Sequence, residues 1–285
     1  MKRGFYLQSL ICLLVASCSV HELDTKDTLT QGEKVHFATL ESYARPDTKV
    51  FVDDNVKIHW DADDRISLFE TTWNREFRFT GNSGDRDGYF SLVTDDFGSG
   101  NPIDFLCAVY PYRNSTNIDN NDVLTLTLPS KQTYREGSFG AGANTMVSVT
   151  KDDPLVFKNV GGYLVFSLYG DGVSVLSIKL EGRNEEPLSG EATMTPVIEA
   201  IPKITMAAEA GKSISLTSNK PVELGASKED ATEFWLVVPP TPFSKGFKLT
   251  VTGSDGKEFI KETEMELSVE RNKVLRIAPL EVIFD

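Results

Sequence analysis

The sequence predicts an all-β protein with two tandem antiparallel β-sandwich domains. Short segments rich in β-branched and aromatic residues alternate apolar and polar side chains along most of the chain, which is the period of a strand with one buried face. Clusters of Gly, Asn and Asp separate these segments and are typical of turns. No helical segments come between the strands, so the pattern favours antiparallel sandwiches over a parallel sheet with crossover helices.

The strands are expected from residue 35 onward and continue to the end of the chain. Pro279 is expected to interrupt the last of them. The predicted strands cover residues 35–39, 50–52, 56–60, 66–69, 76–80, 89–93, 103–110, 124–128, 163–168, 173–178, 234–238, 247–251 and 273–277.

A polar turn at residues 150–154, after a Gly-rich stretch at residues 137–142, marks the expected boundary between the two domains. The N-terminal sandwich is predicted to span residues 34–152 and the C-terminal sandwich residues 153–285. Each half is long enough for about seven strands, the size of a common sandwich domain.

The first residues of the chain predict export and lipid attachment. Lys2 and Arg3 precede an apolar run that is too short to span a bilayer, as in secretory signal peptides. The small residues before Cys18 resemble the lipobox of bacterial lipoproteins, in which the chain is cut before the cysteine and its thiol is diacylated. Residues 1–17 are therefore predicted to be a lipoprotein signal and residues 18–33 a flexible tether. The alternative is an ordinary signal peptide with an incidental cysteine.

Composition argues against several classes of protein. The formal net charge is -13 and no cluster of Lys and Arg is visible, which argues against nucleic-acid binding. No second apolar run approaches the ~20 residues that span a bilayer, so lipid on Cys18 would be the only membrane attachment. Of the other cysteines, Cys12 would leave with the signal and Cys107 lies in an apolar run, where it is expected to be a small buried side chain. No internal disulfide is then possible.

No constellation of residues predicts an enzyme, a metal site or a cofactor. The histidines belong to no metal-binding or catalytic motif. The serine within residues 81–84 lacks the G-x-S-x-G pattern of a nucleophile elbow and is interpreted as part of a turn. The acidic residues 85–88 and 117–122 lack the spacing of a calcium loop and are interpreted as surface turns.

Several short motifs follow one another in a recognisable order. They are VHFATLE (35–41), VKIHW (56–60), DDRISLF (63–69), AVYP (108–111), LTLPSKQ (126–132), LVFKN (155–159), LVFSL (164–168), IKLEG (178–182) and LSG (188–190). This order, together with the predicted lipobox, resembles the fimbrillin-like family of Bacteroidales, which includes the type V pilins and their relatives. One departure is the acidic turn, which reads Asp63-Asp64 in place of the family's Gly-Asp and is expected to change the local turn geometry.

The resemblance implies two transthyretin-like Greek-key sandwiches that assemble through their strands. In polymerising members of the family, an Arg- or Lys-specific protease removes the lipidated N-terminus with the first strand. A strand of a neighbouring subunit then fills the hydrophobic groove, and backbone hydrogen bonds supply the affinity. Here the removable strand would be residues 35–41, with Val35, Phe37 and Thr39 on one face. The alternative is that this strand stays in place.

The candidate cleavage sites lie between the first strand and residue 50. Arg45 precedes Pro46, and proline after the cleaved residue usually blocks trypsin-like proteases, whereas Lys49 precedes a valine. Upstream of the first strand, Thr28 lies in an Asp-Thr-Leu sequence that resembles an O-glycosylation motif of secreted Bacteroidetes proteins. Thr28 is therefore a candidate O-glycosylation site.

These features predict a non-enzymatic structural or adhesive subunit of cell-surface fimbriae, of the type V pilus kind, exported to the outer membrane as a lipoprotein. Its partners would be other fimbrial subunits, joined by β-strand addition, and a host or bacterial surface ligand. The short segment after the last strand favours a tip or minor component. One alternative is a permanent pilus anchor that keeps its lipid.

A second alternative is a non-polymerising surface lipoprotein that binds carbohydrate or host protein. Aromatic side chains could stack on a sugar, although core packing is the expected use of most of them. The candidate residues are Trp73, Tyr110, Tyr112 and Trp235.

Overall fold

The computed structural model describes residues 34–41, 58–93 and 98–284. These residues form strands, turns and loops and contain no helix, so the predicted all-β class is confirmed for them. None of the described segments is a helix long and apolar enough to cross a membrane. Several predicted features lie outside the described residues, namely the signal and tether, Cys18, Thr28, Arg45, Lys49 and the strand at residues 50–52.

Most of the predicted strands are confirmed, with bounds shifted by a few residues. Several further strands, among them those at residues 146–150 and 213–223, were not predicted from the sequence pattern. In chain order, the strands of the described residues are β1 (Val35–Leu40), β2 (Arg65–Thr71), β3 (Arg75–Phe79), β4 (Asp87–Leu92), β5 (Pro102–Tyr110), β6 (Asn117–Ile118), β7 (Leu124–Leu128), β8 (Lys131–Arg135), β9 (Ser138–Phe139), β10 (Met146–Thr150), β11 (Leu155–Asn159), β12 (Gly162–Tyr169), β13 (Ser174–Gly182), β14 (Gly190–Met194), β15 (Thr205–Met206), β16 (Ser213–Glu223), β17 (Thr232–Val238), β18 (Thr241–Phe243), β19 (Phe247–Gly253), β20 (Glu258–Glu262), β21 (Leu267–Val269) and β22 (Val274–Glu281).

Seven strands form a closed barrel in the order β1-β11-β10-β5-β2-β3-β4. Strand β1 closes it, because β1 pairs with β4 on one side and with β11 on the other. Alternate side chains of these strands point inward and form one buried apolar cluster, which includes Ala38, Leu40, Ile66, Leu68, Phe77, Phe79, Phe90, Ala108, Tyr110, Met146, Leu155 and Phe157. The period-two pattern of the sequence therefore specifies the inner face of the barrel.

Trp60 fills the centre of this cluster but does not belong to a strand. The strand predicted at residues 56–60 is absent from its described part, residues 58–60. Instead, the Trp60 amide donates to Asp85 O (2.8 Å) and its carbonyl accepts from Gly84 N (2.9 Å), so a turn holds the chain here. The indole ring is 1 % exposed and meets Phe90 and Phe157 edge-on, with ring centroids 5.0 Å and 5.2 Å away.

A second sheet, in the order β15-β14-β7-β6, covers part of the outer face of the barrel. Val109 and Val147 of the barrel belong to the same buried cluster as Leu126 and Ala192 of this sheet. Cys107 lies in this cluster and is fully buried, as predicted, and burial raises the pKa of its thiol to about 12.

The C-terminal part of the chain forms another core between two sheets. Strands β17-β12-β22 lie on one side and β20-β19-β13-β16-β8-β9 on the other. Between them, Leu164 and Phe166 of β12 belong to one buried cluster with Ile178 and Leu180 of β13 and Leu249 of β19. This is the face-to-face packing of two sheets expected for a sandwich.

Strands from both sides of the predicted boundary at residue 153 share sheets. Strand β11 pairs with β1 and β10 in the barrel, β7 pairs with β14, and β8 pairs with β16. The division into two domains stays a prediction, and the pairings of β11 group it with the first half.

One arrangement of strands occurs twice. Strand β1 runs parallel to β11 and antiparallel to β4, and β12 runs parallel to β22 and antiparallel to β17.

The expected interruption of the last strand at Pro279 is wrong. Strand β22 continues to Glu281 beside β12, with Ile277 opposite Phe166 and Leu280 opposite Leu168. Three steps along β22 thus match two along β12, which is the geometry of a bulge. The bulge accommodates Pro279, because a residue without an amide hydrogen is tolerated where the ladder is already irregular.

The acidic turn before β2 has a strained residue at its tip. Asp63 has a φ of 66°, in the left-handed region that glycine adopts readily and a residue with a Cβ adopts at a cost. The turn is closed by Asp64 N, which donates to Asp61 O (3.1 Å), and by Asp61 N, which donates to Asp64 Oδ2 (2.8 Å). The turn therefore requires a backbone conformation that favours glycine at position 63.

Replacement of Asp63 by glycine should stabilise the protein. We expect Asp63→Gly to raise the free energy of unfolding by about 0.5–1 kcal/mol, since glycine removes the steric cost of the left-handed conformation. The ion pair of Asp63 with Arg78 joins two exposed side chains at 3.6 Å, so its loss should matter little. Urea denaturation of the full chain provides the measurement, with Asp63→Asn as a control that removes the charge but tolerates the left-handed region. An Asp63→Ala variant as stable as Asp63→Gly would contradict the explanation.

Candidate functional site

The candidate site is the space in the barrel that strand β1 occupies, which we call the β1 slot. Val35–Leu40 pairs antiparallel with β4, from Val35 opposite Ser91 to Thr39 opposite Asp87. It pairs parallel with β11, with Leu40 opposite Phe157. Both edges of the strand are hydrogen-bonded, so without β1 the barrel would have two unpaired strand edges.

The alternation predicted for this strand is confirmed, and the structure shows which face is inside. His36, Ala38 and Leu40 are buried, whereas the predicted residues Val35, Phe37 and Thr39 lie half-buried on the outer face. On that outer face, the Phe37 ring meets the Tyr89 ring edge-on at 5.1 Å, and the Thr39 hydroxyl donates to Asp87. The alternation alone did not identify the core-facing set, because a one-residue shift exchanges the two faces of a strand.

The middle of the slot is narrow. Ala38 is fully buried and lies opposite Gly88 of β4 and Leu155 of β11. The Phe79 ring packs so closely on Gly88 that a Cβ built there would lie 2.6 Å from it. A small residue on each of the paired strands therefore leaves room for the aromatic rings of the barrel core.

Two carboxylates lie at the end of the slot where β1 begins. Glu70 forms ion pairs with Lys34 and with Arg75, whose Nη1 is 3.0 Å from Glu70 Oε2. Asp153 takes hydrogen bonds from β1 itself, from His36 Nδ1 (2.9 Å) and from Phe37 N (3.1 Å). Asp153 therefore fixes both a side chain and the backbone of the first strand.

His36 lies between these two carboxylates inside the wall of the barrel. Its Nε2 is 3.9 Å from Glu70 Oε1, is buried, and has no hydrogen-bond partner among the described residues. The ring meets Phe77 edge-on at 5.4 Å. The two ring nitrogens of His36 thus face the carboxylates of Asp153 and Glu70, and the ring itself contacts Phe77.

Guanidinium groups lie at the opposite end of the slot, where β1 ends. Glu41 Oε1 accepts hydrogen bonds from Arg271 Nη1 (2.6 Å) and from the Asn159 amide. The Glu41 and Arg271 side chains are only 15 % and 19 % exposed, so the pair is largely removed from water. Arg86 Nη2 also donates to the carbonyl oxygens of Leu40 (3.1 Å) and Glu41 (3.4 Å).

A chain of buried polar side chains connects this end to the C-terminal core. Asn159 Nδ2 donates to Asn272 Oδ1 (2.6 Å), and Asn159 Oδ1 accepts from Asn144 Nδ2 (2.8 Å). The Tyr163 hydroxyl donates to Asn144 Oδ1 (3.2 Å), and Arg271 Nη1 also donates to Asn159 O (3.0 Å). Because buried polar groups are costly unless paired, this network fixes the relative position of β1, β11 and the turn before β22.

The charged residues of the slot were not identified from the sequence. Glu70, Asp153 and Arg271 lie far from β1 along the chain, and Arg271 is separated from Glu41 by 230 residues. No local pattern connects such partners. Glu41 itself lies in the predicted first strand, yet its role follows only from the contact with Arg271.

The four aromatic residues considered for a sugar platform do not form one exposed surface. Tyr110 and Trp235 are buried at 8 % and 2 % exposure, and only Trp73 is exposed as far as 38 %. Trp235 donates to Glu233 (3.0 Å) and lies under the Arg276 guanidinium at 5.0 Å. Tyr110 and Trp235 therefore pack in the core, as expected for most of these residues.

A cleft of about 450 Å³ lies over Trp60, between the acidic turn and the loop that follows β9. The Tyr110 hydroxyl donates to Asp64 Oδ1 (2.9 Å) and accepts from Gly142 N (3.3 Å). Burial raises the pKa of the Asp64 carboxyl, and burial next to that carboxyl raises the pKa of Tyr110. Arg135 forms an ion pair with Asp61 (Nη1 to Oδ2, 3.1 Å), and this pair lines one side of the cleft.

The acidic turns contain structural hydrogen bonds. Asp119 Oδ1 accepts from Asn121 N (2.8 Å) and Val123 N (2.9 Å), and these bonds lower the pKa of its carboxyl. Asp85 Oδ2 accepts from Asn82 N (2.8 Å), and Asp87 accepts from Thr39. Within the described ranges, no group of three or more His, Cys, Asp or Glu side chains is arranged to hold a metal ion.

No protein-family model matches the sequence, and no protein with a curated description matches it. Solved structures do resemble the chain. A candidate cell adhesion protein from Bacteroides ovatus aligns with a TM-score of 0.49 and 12% identity over 87% of this chain and 91% of its own. A second candidate cell adhesion protein, from Bacteroides uniformis, aligns with a TM-score of 0.47 and 16% identity over 87% of this chain and 94% of its own. The tip fimbrial protein Mfa3 from Porphyromonas gingivalis was solved with a C-terminal truncation. It aligns with a TM-score of 0.35 and 9% identity over 85% of this chain and 94% of its own.

The ion pair between Glu41 and Arg271 should contribute measurably to stability. We expect Glu41→Gln to lower the free energy of unfolding by about 1.5–3 kcal/mol, because it removes a charged acceptor from a largely buried guanidinium. A double-mutant cycle with Arg271→Met should give a coupling energy of about 1 kcal/mol or more.

The neighbouring pair Glu270 and Lys273 is a matched control for that cycle. Its atoms are 2.7 Å apart, yet its side chains are 60% and 41% exposed. Water should therefore reduce its coupling energy to about 0.5 kcal/mol or less. Equal coupling energies for the two pairs, measured by denaturant unfolding, would show that the Glu41 contact has no special role.

The raised pKa of Asp64 should affect stability in a predictable direction. The folded protein holds the Asp64 proton at pH values where the unfolded chain has released it, so the contribution of this group is lost as pH rises through the folded pKa. We expect the wild type to lose stability relative to Asp64→Asn between acidic and neutral pH. Parallel denaturation series of the two proteins measure this difference, and a difference that is constant or of opposite sign would contradict the prediction.

Proposed function

We propose that this chain is a structural or adhesive subunit of cell-surface fimbriae, of the type V pilus kind, and that it receives a strand from a neighbouring subunit in the β1 slot. The observation that carries the proposal is that the barrel is closed by its first strand. Every other barrel strand lies within the described ranges 58–93 and 98–284, whereas β1 precedes them and is followed by the segment that contains Arg45 and Lys49. One cut in that segment would separate β1 from the rest of the barrel.

Loss of β1 would create a strand-binding site. The edges of β4 and β11 would each present unpaired backbone groups, and the apolar floor below Ala38 and Leu40 would be exposed to water. Backbone pairing supplies affinity for any extended segment, and alternate inward side chains supply register. An open barrel of this kind favours association with a strand from another chain.

Export as a lipoprotein through Cys18 completes the proposal. The lipid would hold the newly exported chain at the outer membrane until a protease cuts after Lys49, or after Arg45 if Pro46 does not block it. Removal of β1 with the tether would then release the subunit from the membrane as it becomes competent to assemble. Permanent retention of the lipid would make the chain a pilus anchor instead.

A receiving role, as a tip or minor component, is supported by the segment that follows β22. Val282 is buried, and its amide donates to Tyr169 O (2.8 Å). The Phe284 ring packs against Gly253, where a Cβ would lie 2.8 Å from it. Residues 280–284 are thus engaged in the C-terminal core and would have to detach before they could be donated to another subunit.

A second candidate function is that of a non-polymerising surface lipoprotein that binds a small polar ligand. The observation that favours it is the cleft over Trp60, which combines buried aromatic rings with Asp61, Asp64 and Arg135. Hydrogen-bonding side chains beside aromatic groups suit a carbohydrate. Such a protein would keep β1 and would stay monomeric.

Limited trypsin digestion of the purified full chain distinguishes these functions. We expect cleavage after Lys49, shown by intact mass, followed by dissociation of β1. The opened barrel should then bind an added strand from a separate polypeptide, seen as a higher-mass species in size-exclusion chromatography. Trypsin could also separate β1 by cutting after Lys57, so Lys49→Gln combined with Lys57→Gln should block both steps. Arg45→Gln should change neither, since Pro46 protects that bond. A chain that loses β1 and binds no added strand would refute assembly by strand addition. Assembled fibres that still contain acylated Cys18 would refute strand removal and favour the anchor.

A further inference from the structure

We infer that the charges at the two ends of the β1 slot select the direction and the sequence of the strand that fills it. The partner is a strand of another polypeptide that begins with a basic residue, has a small residue four positions later, and has a carboxylate three positions after that. This inference rests on the proposed function, because it concerns the strand that replaces β1.

The first step is the separation of charge along the slot. Glu70 and Asp153 surround the start of β1, where they pair with Lys34 and His36. Arg271 and Arg86 surround its end, where they bind Glu41 and the last carbonyl groups. Arg75 pairs with Glu70 and balances one of the two carboxylates, so the start of the slot keeps a net negative charge. The end of the slot is positive, and β1 has the opposite polarity.

The second step is the environment of these charges. Glu70 is 23% exposed, and Arg271 is 19% exposed. A charge that is largely removed from water becomes costly when its partner is lost, and an approaching charge of the same sign is costlier still. A strand that enters in the reverse direction would bring its own acid toward Glu70 and Asp153 and its base toward Arg271. The ends of the slot therefore discriminate between the two directions.

The third step is the size limit in the middle. Ala38 is fully buried opposite Gly88, and the Phe79 ring covers that glycine. A larger side chain at this position would force the core rings to move, and overpacked cores are destabilised. The incoming strand therefore needs a small residue at the place of Ala38, with apolar residues able to fill the place of Leu40.

The combination of these requirements is rare. A basic residue followed four positions later by Ala, Gly or Ser, and three positions after that by Asp or Glu, occurs in this sequence only at Lys34, Ala38 and Glu41. The rest of the chain thus contains no second copy of the pattern. This observation favours a different polypeptide as the donor over another segment of an identical subunit.

The test uses the full chain with a specific protease site placed within residues 42–57, so that cutting leaves every residue present and β1 held without a covalent link. Fluorescent peptides are then added, and exchange into the slot is followed by anisotropy. The native peptide is KVHFATLE, the sequence of residues 34–41. The test peptide EVHFATLK exchanges only its two terminal residues, and the control peptide KTHFAVLE exchanges only two outer-face residues.

We expect the native and control peptides to bind with similar affinity and the test peptide to bind at least ~10-fold more weakly, because both of its ends meet like charge. An Arg271→Glu protein should bind the test peptide better than the wild type does, since its new carboxylate accepts the terminal lysine. Equal affinity of all three peptides for the cut wild-type protein would overturn charge selection while leaving a replaceable strand. Failure of every peptide to exchange, with cutting complete, would overturn both the replaceable strand and the inference that rests on it.

Discussion

The closure of the barrel by β1 is the constraint on which the rest of the structure depends. Strands β4 and β11 come from distant parts of the chain, and only β1 joins them. The aromatic cluster around Trp60 is enclosed when this last position is filled. One short strand thus determines whether a large apolar surface is in contact with protein or with water.

The contacts at the ends of β1 show how a short strand can be held firmly and yet specifically. Backbone ladders accept most sequences, since they use groups that every residue except proline carries. The side-chain contacts of His36 and Glu41 add selectivity, because each requires a partner of defined charge at a defined position. The Asn144, Asn159 and Asn272 network extends this selectivity to the C-terminal core, since buried carboxamides tolerate few alternative arrangements.

The sequence predicted the elements of this fold better than it predicted their connections. Strands such as β1 and β7 alternate between core and surface, so their period of two is visible. All five residues of β10 are buried, because the second sheet covers its outer face, and the alternation that identifies a strand is then lost. Trp60 lies in a strand-like sequence, yet a turn and not a ladder fixes its backbone.

The candidate site was located from a resemblance, and its chemistry could not be read from the chain. The removable strand was assigned to residues 35–41. Which of its residues face the core (His36, Ala38 and Leu40) and which charged residues bind it depend on contacts between distant parts of the chain. Pro279 shows the same limit on a smaller scale. Its effect on the ladder depends on whether the neighbouring strand has a bulge, which is a property of the pair and not of either strand.

The parallel pairing of β1 with β11 has a consequence for the order in which the chain can fold. Asp153 follows its partner His36 by 117 residues, and Arg271 follows Glu41 by 230. A chain is synthesised from its N-terminus, so the first strand of the barrel is made first, and its contact with Arg271 can form only after 230 further residues have been made. Loops of this length must close before these contacts form, which slows folding. A chain that stops short of residue 271 would lack the guanidinium that pairs with Glu41, so the end of its first strand would lose its largely buried ion pair.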